Sequence, residues 1–221
     1  LSQAVFSNNK HVVELLLKHG ADLNWQDNRG VSEVLIAAAL GNNDILNILL
    51  DNGADANTEA NNGLTPLMIA AYKGFTEIIE SLLKYGADVD VISDEGLSAL
   101  AYSVKSGKSE IVKLLLEYGA SIDIGNGKSK NLLLLAIKTG NIEIARILLD
   151  YNIDINQKTE EGLTFLMHSA VKEKLEIMKL LLDYGANIND QTKDGWTVLM
   201  MAIDRGEIAA ANTLIDYNCD I

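Results

Sequence analysis

The sequence has a 33-residue period, and this period limits its fold more than any other feature. Position 20 is glycine, and every 33 residues after it the chain carries either glycine or asparagine. The later members are Gly53, Gly86, Gly119, Asn152, Gly185 and Asn218. Glycine and asparagine enter the left-handed backbone region most cheaply. Because a helix that stops in a left-handed residue needs one of them, the series predicts one helix end in every period.

Residues suited to starting helices follow the same step. The series of N-cap candidates is Ser32, Thr65, Ser98, Asn131, Thr164 and Thr197. Each offers a side-chain oxygen to an unpaired helix amide. The only proline, Pro66, directly follows Thr65, and proline is well tolerated at the first helical position. Two glycine series mark turns: the first lies two residues before a cap, and the second lies between the two helices of a unit. They are Gly30, Gly63, Gly96, Gly162 and Gly195, then Gly41, Gly74, Gly107, Gly140 and Gly206.

Each unit is therefore predicted to hold two short helices between turns. In one unit they cover residues 65–73 and 76–84, with apolar side chains at helical spacing in the second. Helices of about nine residues do not persist alone in water. They need neighbouring units to bury their apolar faces, which is the principle of a solenoid.

The segment from Gly63 to Ala71, GLTPLMIAA, followed by Gly74, resembles the ankyrin-repeat signature with its T-P-L-H-x-A core. The resemblance covers the whole chain as a single domain, residues 1–221. It implies an all-α solenoid of stacked helix-turn-helix units with β-hairpin loops. The expected units are an N-terminal capping repeat at 1–26, then 27–59, 60–92, 93–125, 126–158, 159–191 and 192–221.

Some units depart from the pattern. Ser129 and Glu173 replace turn glycines, which predicts locally weaker turns. In the last unit, small residues at Ala210, Ala211 and Thr213 stand where inner units carry larger ones. A capping repeat needs a reduced apolar outer face, so we expect this unit to act as a cap.

Charge and composition argue against several function classes. The 221 residues hold 31 acidic and 18 basic side chains, a net charge of −13. Such a field repels nucleic acids and anionic membranes. Cys219 is the only cysteine, so a disulfide framework or cysteine metal cluster is excluded. No apolar run approaches the roughly 18–20 residues that span a bilayer.

The sequence shows no convincing catalytic motif. The segment 125–129, GNGKS, is like the end of a phosphate-binding loop, but Ile122 stands where that loop needs glycine. The three histidines, His11, His19 and His168, lack metal-ligand spacing. We therefore expect no enzyme activity, no cofactor and no metal.

Five tyrosines, at positions 85, 118, 151, 184 and 217, each directly precede a predicted helix stop and form a row. One interpretation is an aromatic ladder for a partner. The other, which the regular spacing favours, is that each ring packs on the neighbouring unit with its hydroxyl in water. Trp196 breaks the regular pattern, because its counterparts are Val31, Leu64, Leu97, Lys130 and Leu163. It is a candidate anchor for a partner.

The resemblance also implies that first helices and loop tips line a concave face. The predicted first helices, 1–7, 32–40 and their 33-step equivalents, carry five bases against two acids. The second helices, 10–18, 43–51 and their equivalents, carry twelve acids against six bases. An apolar patch beside a basic stripe favours docking of a protein. The candidate partner-binding residues are Leu40, Tyr72, Lys73, Lys105, Lys138, Lys172, Trp196 and Arg205.

These features favour a protein–protein interaction scaffold that binds its partner on the concave face. The partner is expected to present an acidic segment, and the chain is expected to be a monomer in the cytoplasm without membrane insertion. The alternative is the recognition region of a larger protein, such as a microbial effector or signalling protein, whose catalytic part lies elsewhere; a secreted effector would reach the host cytosol. An enzyme with a cleft between units would need a cluster of titratable residues that breaks the repeat, and the sequence contains no such cluster.

Overall fold

The computed structural model describes residues 1–122, 131–159, 161–170 and 174–221. Over these residues the chain forms fourteen helices in seven consecutive pairs. They are α1 (Ser2–Phe6), α2 (Lys10–Lys18), α3 (Glu33–Leu40), α4 (Asn43–Asp51), α5 (Pro66–Lys73), α6 (Thr76–Lys84), α7 (Ala99–Lys105), α8 (Ser109–Glu117), α9 (Leu132–Thr139), α10 (Ile142–Asp150), α11 (Phe165–Ala170), α12 (Leu175–Asp183), α13 (Val198–Asp204) and α14 (Ile208–Asp216).

The chain divides into two compact units, residues 1–130 and 131–221. The segment 125–129, Ser129, Lys130, Lys172 and Glu173 lie outside the described residues, so the expectations placed on them stay predictions.

The predicted helix starts are confirmed at all six caps. Thr65 Oγ1 accepts a hydrogen bond from the Met68 amide at 3.3 Å, directly before Pro66. The other five cap side chains accept from backbone amides two or three residues ahead in the same way. These bonds satisfy amides that the first turn of a helix leaves unpaired.

The predicted left-handed stops are also confirmed. The glycines of the series that begins at Gly20 have φ between 79° and 92°, while the asparagines of that series, Asn152 and Asn218, have φ of 59° and 58°. The loops between repeats close as tight turns. In the described part of the chain, single β-bridges at Lys158–Thr164 and Gln191–Thr197 stand in place of hairpin strands.

Successive helix pairs stack on each other within each unit. In the first unit, α1, α3, α5 and α7 pack in sequence, and α2, α4 and α6 form the second row. In the second unit, α9, α11 and α13 pack side by side, as do α10, α12 and α14. Leucine, isoleucine, valine and alanine side chains fill the space between the rows. Burial of this apolar surface offsets the conformational entropy that the short helices lose.

Asparagine and aspartate side chains join the loops of adjacent repeats. Asn57 Oδ1 accepts from the Asp88 amide at 2.7 Å, and Asp90 Oδ1 accepts from the Ser121 amide at 2.8 Å. Two pairs in the second unit repeat this contact, Asn156 with Asn187 and Asn189 with Asp220. Each bond spans 31 residues, so it holds one repeat to the next.

A second set of bonds joins the ends of second helices. The Tyr85 hydroxyl donates to Asp51, while those of Tyr184 and Tyr217 donate to Asp150 and Asp183 at 2.5 and 2.6 Å. The expectation that these hydroxyls contact only water is therefore wrong for three of the five tyrosines in the row. The pairing spans 34 residues, which brings a carboxylate of the preceding repeat to each ring.

These hydrogen bonds raise the pKa of each of the three tyrosines, since ionisation would place a phenolate beside a carboxylate. A group whose pKa is raised by folding stabilises the folded state below its unfolded pKa. That contribution is lost as the pH rises through the folded pKa. The tyrosine–aspartate bonds therefore stabilise the stack at neutral pH and fail in alkali.

We predict that Tyr85→Phe lowers the urea midpoint of unfolding at pH 7, because it removes the hydroxyl that donates to Asp51. The difference from the unsubstituted protein should shrink above about pH 10, where tyrosine ionises in the unfolded chain. Tyr118→Phe is the matched control: position 84, its 34-residue counterpart, is lysine, so we expect no such loss. An equal fall in both variants would contradict the prediction.

Glu33 departs from the repeat pattern. It occupies the first position of α3, where the first helices of the later repeats carry Pro66, Ala99 or larger apolar residues, and it is only 2% exposed. Its Oε1 accepts from the Ser2 hydroxyl at 2.6 Å, whereas Oε2 is buried without a partner among the described residues. Burying a polar atom without a partner costs folding free energy.

We predict that Glu33→Pro raises the free energy of unfolding by about 1 kcal/mol or more, since it removes the unpaired buried oxygen and restricts the unfolded chain. Ser32 already has the extended backbone, φ −94° and ψ 169°, that a following proline requires. Ala99→Pro, at the same position of α7, provides the proline effect alone. Urea unfolding that gives equal gains for both variants would rule out a cost from the buried carboxylate.

Candidate partner-binding surface

Three exposed apolar side chains lie at the ends of neighbouring first helices in the first unit. Phe6 ends α1, Leu40 ends α3, and Tyr72 lies in the last turn of α5. Tyr72 is 51% exposed, although large aromatic side chains usually bury most of their surface. Because α1, α3 and α5 pack side by side, these side chains form one edge of the helix row.

Aromatic and cationic contacts hold Tyr72 and Lys105 in one cluster. The Tyr72 and Tyr102 rings meet edge to face, with centroids 6.3 Å apart and planes at 90°. Tyr102 is buried, and its hydroxyl lies 3.3 Å from Ser93 Oγ. Lys105 Nζ lies 5.7 Å from the Tyr102 ring centroid. The buried Tyr102 therefore supports the exposed ring, in a geometry that aromatic pairs prefer.

Two lysines place positive charge beside this cluster. Lys73 ends α5, and its Nζ lies 5.9 Å from the centroid of the Phe75 ring. Lys105 ends α7 and also contacts Glu95, whose Oε2 is 3.4 Å from Nζ. Because Glu95 lies on the loop of the same repeat, it offsets part of the charge of Lys105. Sequence reasoning missed both Tyr102 and Glu95.

Burial changes the charge count on the first helices of the first unit. The count from the sequence includes Glu33 as an acid of these helices, but its side chain is buried and is not presented on the surface. The exposed charges of α3, α5 and α7 are then Lys73 and Lys105. The second helices nearby expose acids, among them Asp44, Asp51, Glu77, Glu80 and Glu110. The expected segregation of charge is thus present in the first unit.

In the second unit, two of the candidate residues, Trp196 and Arg205, lie at opposite ends of one helix. Lys138 is exposed in the last turn of α9, and Arg205 caps the C-terminal end of α13. Trp196 precedes the cap residue Thr197 at the opposite end of α13, with its ring exposed. A helix of seven residues separates its ends by about 10 Å, so Trp196 does not adjoin Arg205.

The described residues contain no group of three histidine, cysteine, aspartate or glutamate side chains that could hold a metal ion. Cys219 is buried, and burial raises the pKa of its thiol, which disfavours the reactive thiolate. In the first unit, one shallow depression lies between loops and another between α4 and α6. Polar side chains line most of the second, including Asn43, Glu77 and Glu80.

A family model described as ankyrin repeats in three copies matches residues 1–93, 88–159 and 133–221. The chain belongs to the ankyrin-repeat family. This confirms the resemblance carried by the T-P-L segment and the 33-residue period. Ankyrin repeats are in general protein–protein interaction modules. Over the described residues, no helix is both long and apolar enough to span a membrane.

Solved structures show the same fold. The human ASB11 ankyrin repeat domain aligns with a TM-score of 0.81 and 24% identity, over 100% of this chain and 98% of that one. The ankyrin repeat domain of Bcl-3, a member of the IkappaB family, aligns with a TM-score of 0.82 and 24% identity, over 97% and 96%. A search of curated proteins returned no match.

Proposed function

We propose that this protein is a non-enzymatic scaffold that binds a protein partner through the first-helix surface, defined by Leu40, Tyr72, Lys73 and Lys105. The observation that carries the proposal is the exposed Tyr72 ring, held by buried Tyr102 and flanked by lysines on an acidic molecule. On this proposal, Lys138, Lys172, Trp196 and Arg205 are secondary contacts.

The chemistry of the first-helix surface suits a protein with an acidic segment next to an apolar side chain. An exposed aromatic ring with a fixed orientation loses little entropy when a partner covers it, and such rings often carry much of the binding energy. The lysines guide an acidic partner toward the ring, because charges at the rim act mainly on the association rate. The net charge of −13 disfavours nucleic acid as the ligand. We place this activity in the cytoplasm.

The first step of the test is to recover the partner. Immobilised protein would capture interacting proteins from a cell extract, with the Tyr72→Ala variant as the parallel bait. Proteins that are depleted on the variant would be identified by mass spectrometry. Association and dissociation rates with the purified partner would then be measured by surface plasmon resonance at two salt concentrations.

We expect Tyr72→Ala to speed dissociation about tenfold, because it removes the aromatic side chain that the bound partner would cover. Lys73→Glu with Lys105→Glu should slow association several-fold and weaken its dependence on salt. Glu95→Gln should have the opposite effect on association, since it removes the acid that offsets Lys105. Exposed ion pairs contribute about 0–1 kcal/mol to stability, so these charge variants should remain folded.

The matched control is Lys84→Glu, which makes the same charge reversal on the second helix α6. The proposal requires this variant to bind with nearly unchanged kinetics. If Lys84→Glu abolishes binding while Lys73→Glu with Lys105→Glu does not, the partner binds the second helices and the proposal is wrong.

A further inference from the structure

A lysine from the following repeat lies across the end of helix α5. The helix stops at Gly74, which is left-handed with φ 82° and has no side chain. The side chain of Lys108 occupies the space this leaves, because its Cδ and Cε atoms lie 3.1 and 3.2 Å from the position that a Cβ atom would take at Gly74. Lys108 therefore belongs to the surface at the end of α5, although it directly precedes the second helix α8.

This packing recurs in other repeats with different residues. The residue before a second helix lies across the glycine that ends the first helix of the preceding repeat. Two further pairs of this kind are Phe75 with Gly41 and Lys174 with Gly140. The residue directly before each of these two glycines is uncharged, whereas Lys73 directly precedes Gly74. The end of α5 therefore brings together two lysines from adjacent repeats.

Lys73 and Lys108 are both exposed, and neither forms an ion pair among the described residues. The acids nearest to them along the chain, Glu77 and Glu110, lie in the first turns of α6 and α8. Lys73 Nζ lies 5.9 Å from the centroid of the Phe75 ring, a contact that leaves its positive charge uncompensated. The two lysines therefore carry two positive charges without a carboxylate between them.

Folding alone does not account for this pair of charges. One cation at the C-terminal end of a helix is favourable, because it lies at the negative end of the helix dipole. A second cation beside it repels the first. Lys105, on the neighbouring helix α7, is different, since Glu95 offsets its charge. The repulsion between Lys73 and Lys108 would be relieved by a bound anion that contacts both.

We propose that Lys73 and Lys108 together bind a phosphorylated side chain of the protein partner. The inference rests on the proposed function, and it identifies the acidic segment of the partner as a phosphorylated one. A phosphate group on a side chain carries close to two negative charges at neutral pH, which matches the two uncompensated lysines, whereas a carboxylate carries one. Its oxygens can accept a hydrogen bond from each ammonium group. Tyr72, directly before Lys73, would contact the adjoining part of the segment.

Nuclear magnetic resonance with a small probe tests the site without the partner. The probe is phosphoserine with an acetylated amine and an amidated carboxyl group, and glutamate blocked in the same way is the matched single charge. Each is titrated into the protein at constant ionic strength, because salt screens exposed charges. We expect the amide signals of Gly74 and Lys108 to shift and saturate with phosphoserine in the millimolar range. Glutamate should bind several-fold more weakly.

Three variants locate the binding. Lys73→Gln and Lys108→Gln should each weaken phosphoserine binding several-fold, because each removes one of the two charges that face the phosphate. Lys108 makes no side-chain capping bond to α8, so its replacement should leave the helix start intact. Lys84→Gln removes an exposed lysine from the end of α6 in the same unit and is the matched control. It should bind phosphoserine like the unsubstituted chain.

The outcomes separate this inference from the proposed function. Shifts that do not saturate, equal binding of the two probes, or phosphoserine binding that survives Lys108→Gln would each overturn the phosphate site. If the recovered partner still depends on Tyr72 in any of these cases, the first-helix surface remains and recognises carboxylates.

A phosphatase distinguishes a phosphorylated partner from a free phosphate compound. Treatment of the recovered partner with the enzyme should slow its association with the unsubstituted chain several-fold, and it should have little effect on association with Lys108→Gln. A partner that binds the unsubstituted chain equally well before and after treatment would show that the site does not recognise a phosphorylated protein, and the inference would be wrong.

Discussion

Stacking of one helix pair on the next is the interaction on which the rest of this structure depends. The helices contain five to nine residues, too few to persist alone in water. Their stability comes from apolar surface buried between repeats. Asparagine and aspartate side chains join adjacent loops, and tyrosine hydroxyls join the ends of second helices. These polar contacts surround the apolar contact and fix its register.

This construction separates the residues that hold the stack from those available to a partner. Positions that recur at every repeat cap helices, close turns or fill the core. The first-helix surface lies at positions where the pattern changes, since Tyr72 corresponds to Ala39 in one neighbouring repeat and Lys105 in the other. Such a position tolerates variation because the stack does not bury it. A repeat protein can therefore acquire a binding surface without altering its core.

Exposed charged side chains also differ between the first and the second helices. In the first unit, exposed acids lie on the second helices, while Lys73 and Lys105 lie at the ends of first helices. Sequence reasoning identified this segregation, because it needs only the helix pattern. It counted Glu33 on the surface, however, and it overlooked Glu95 beside Lys105. Both errors arise because a count of charges along the sequence takes no account of which side chains are buried or which residues of a helix contact its loop.

The sequence by itself determined the family, the helix starts and the left-handed stops, because these depend on local backbone energies. Thr65 caps its helix and Asn152 enters the left-handed region for reasons contained within a few residues. Only the tertiary structure decided which groups meet across repeats. The amide bonds between loops span 31 residues and the tyrosine–aspartate bonds span 34, neither of them one full period, and the stacking geometry sets these offsets. The support of the exposed Tyr72 ring by buried Tyr102 likewise depends on which side chains neighbouring repeats bring together.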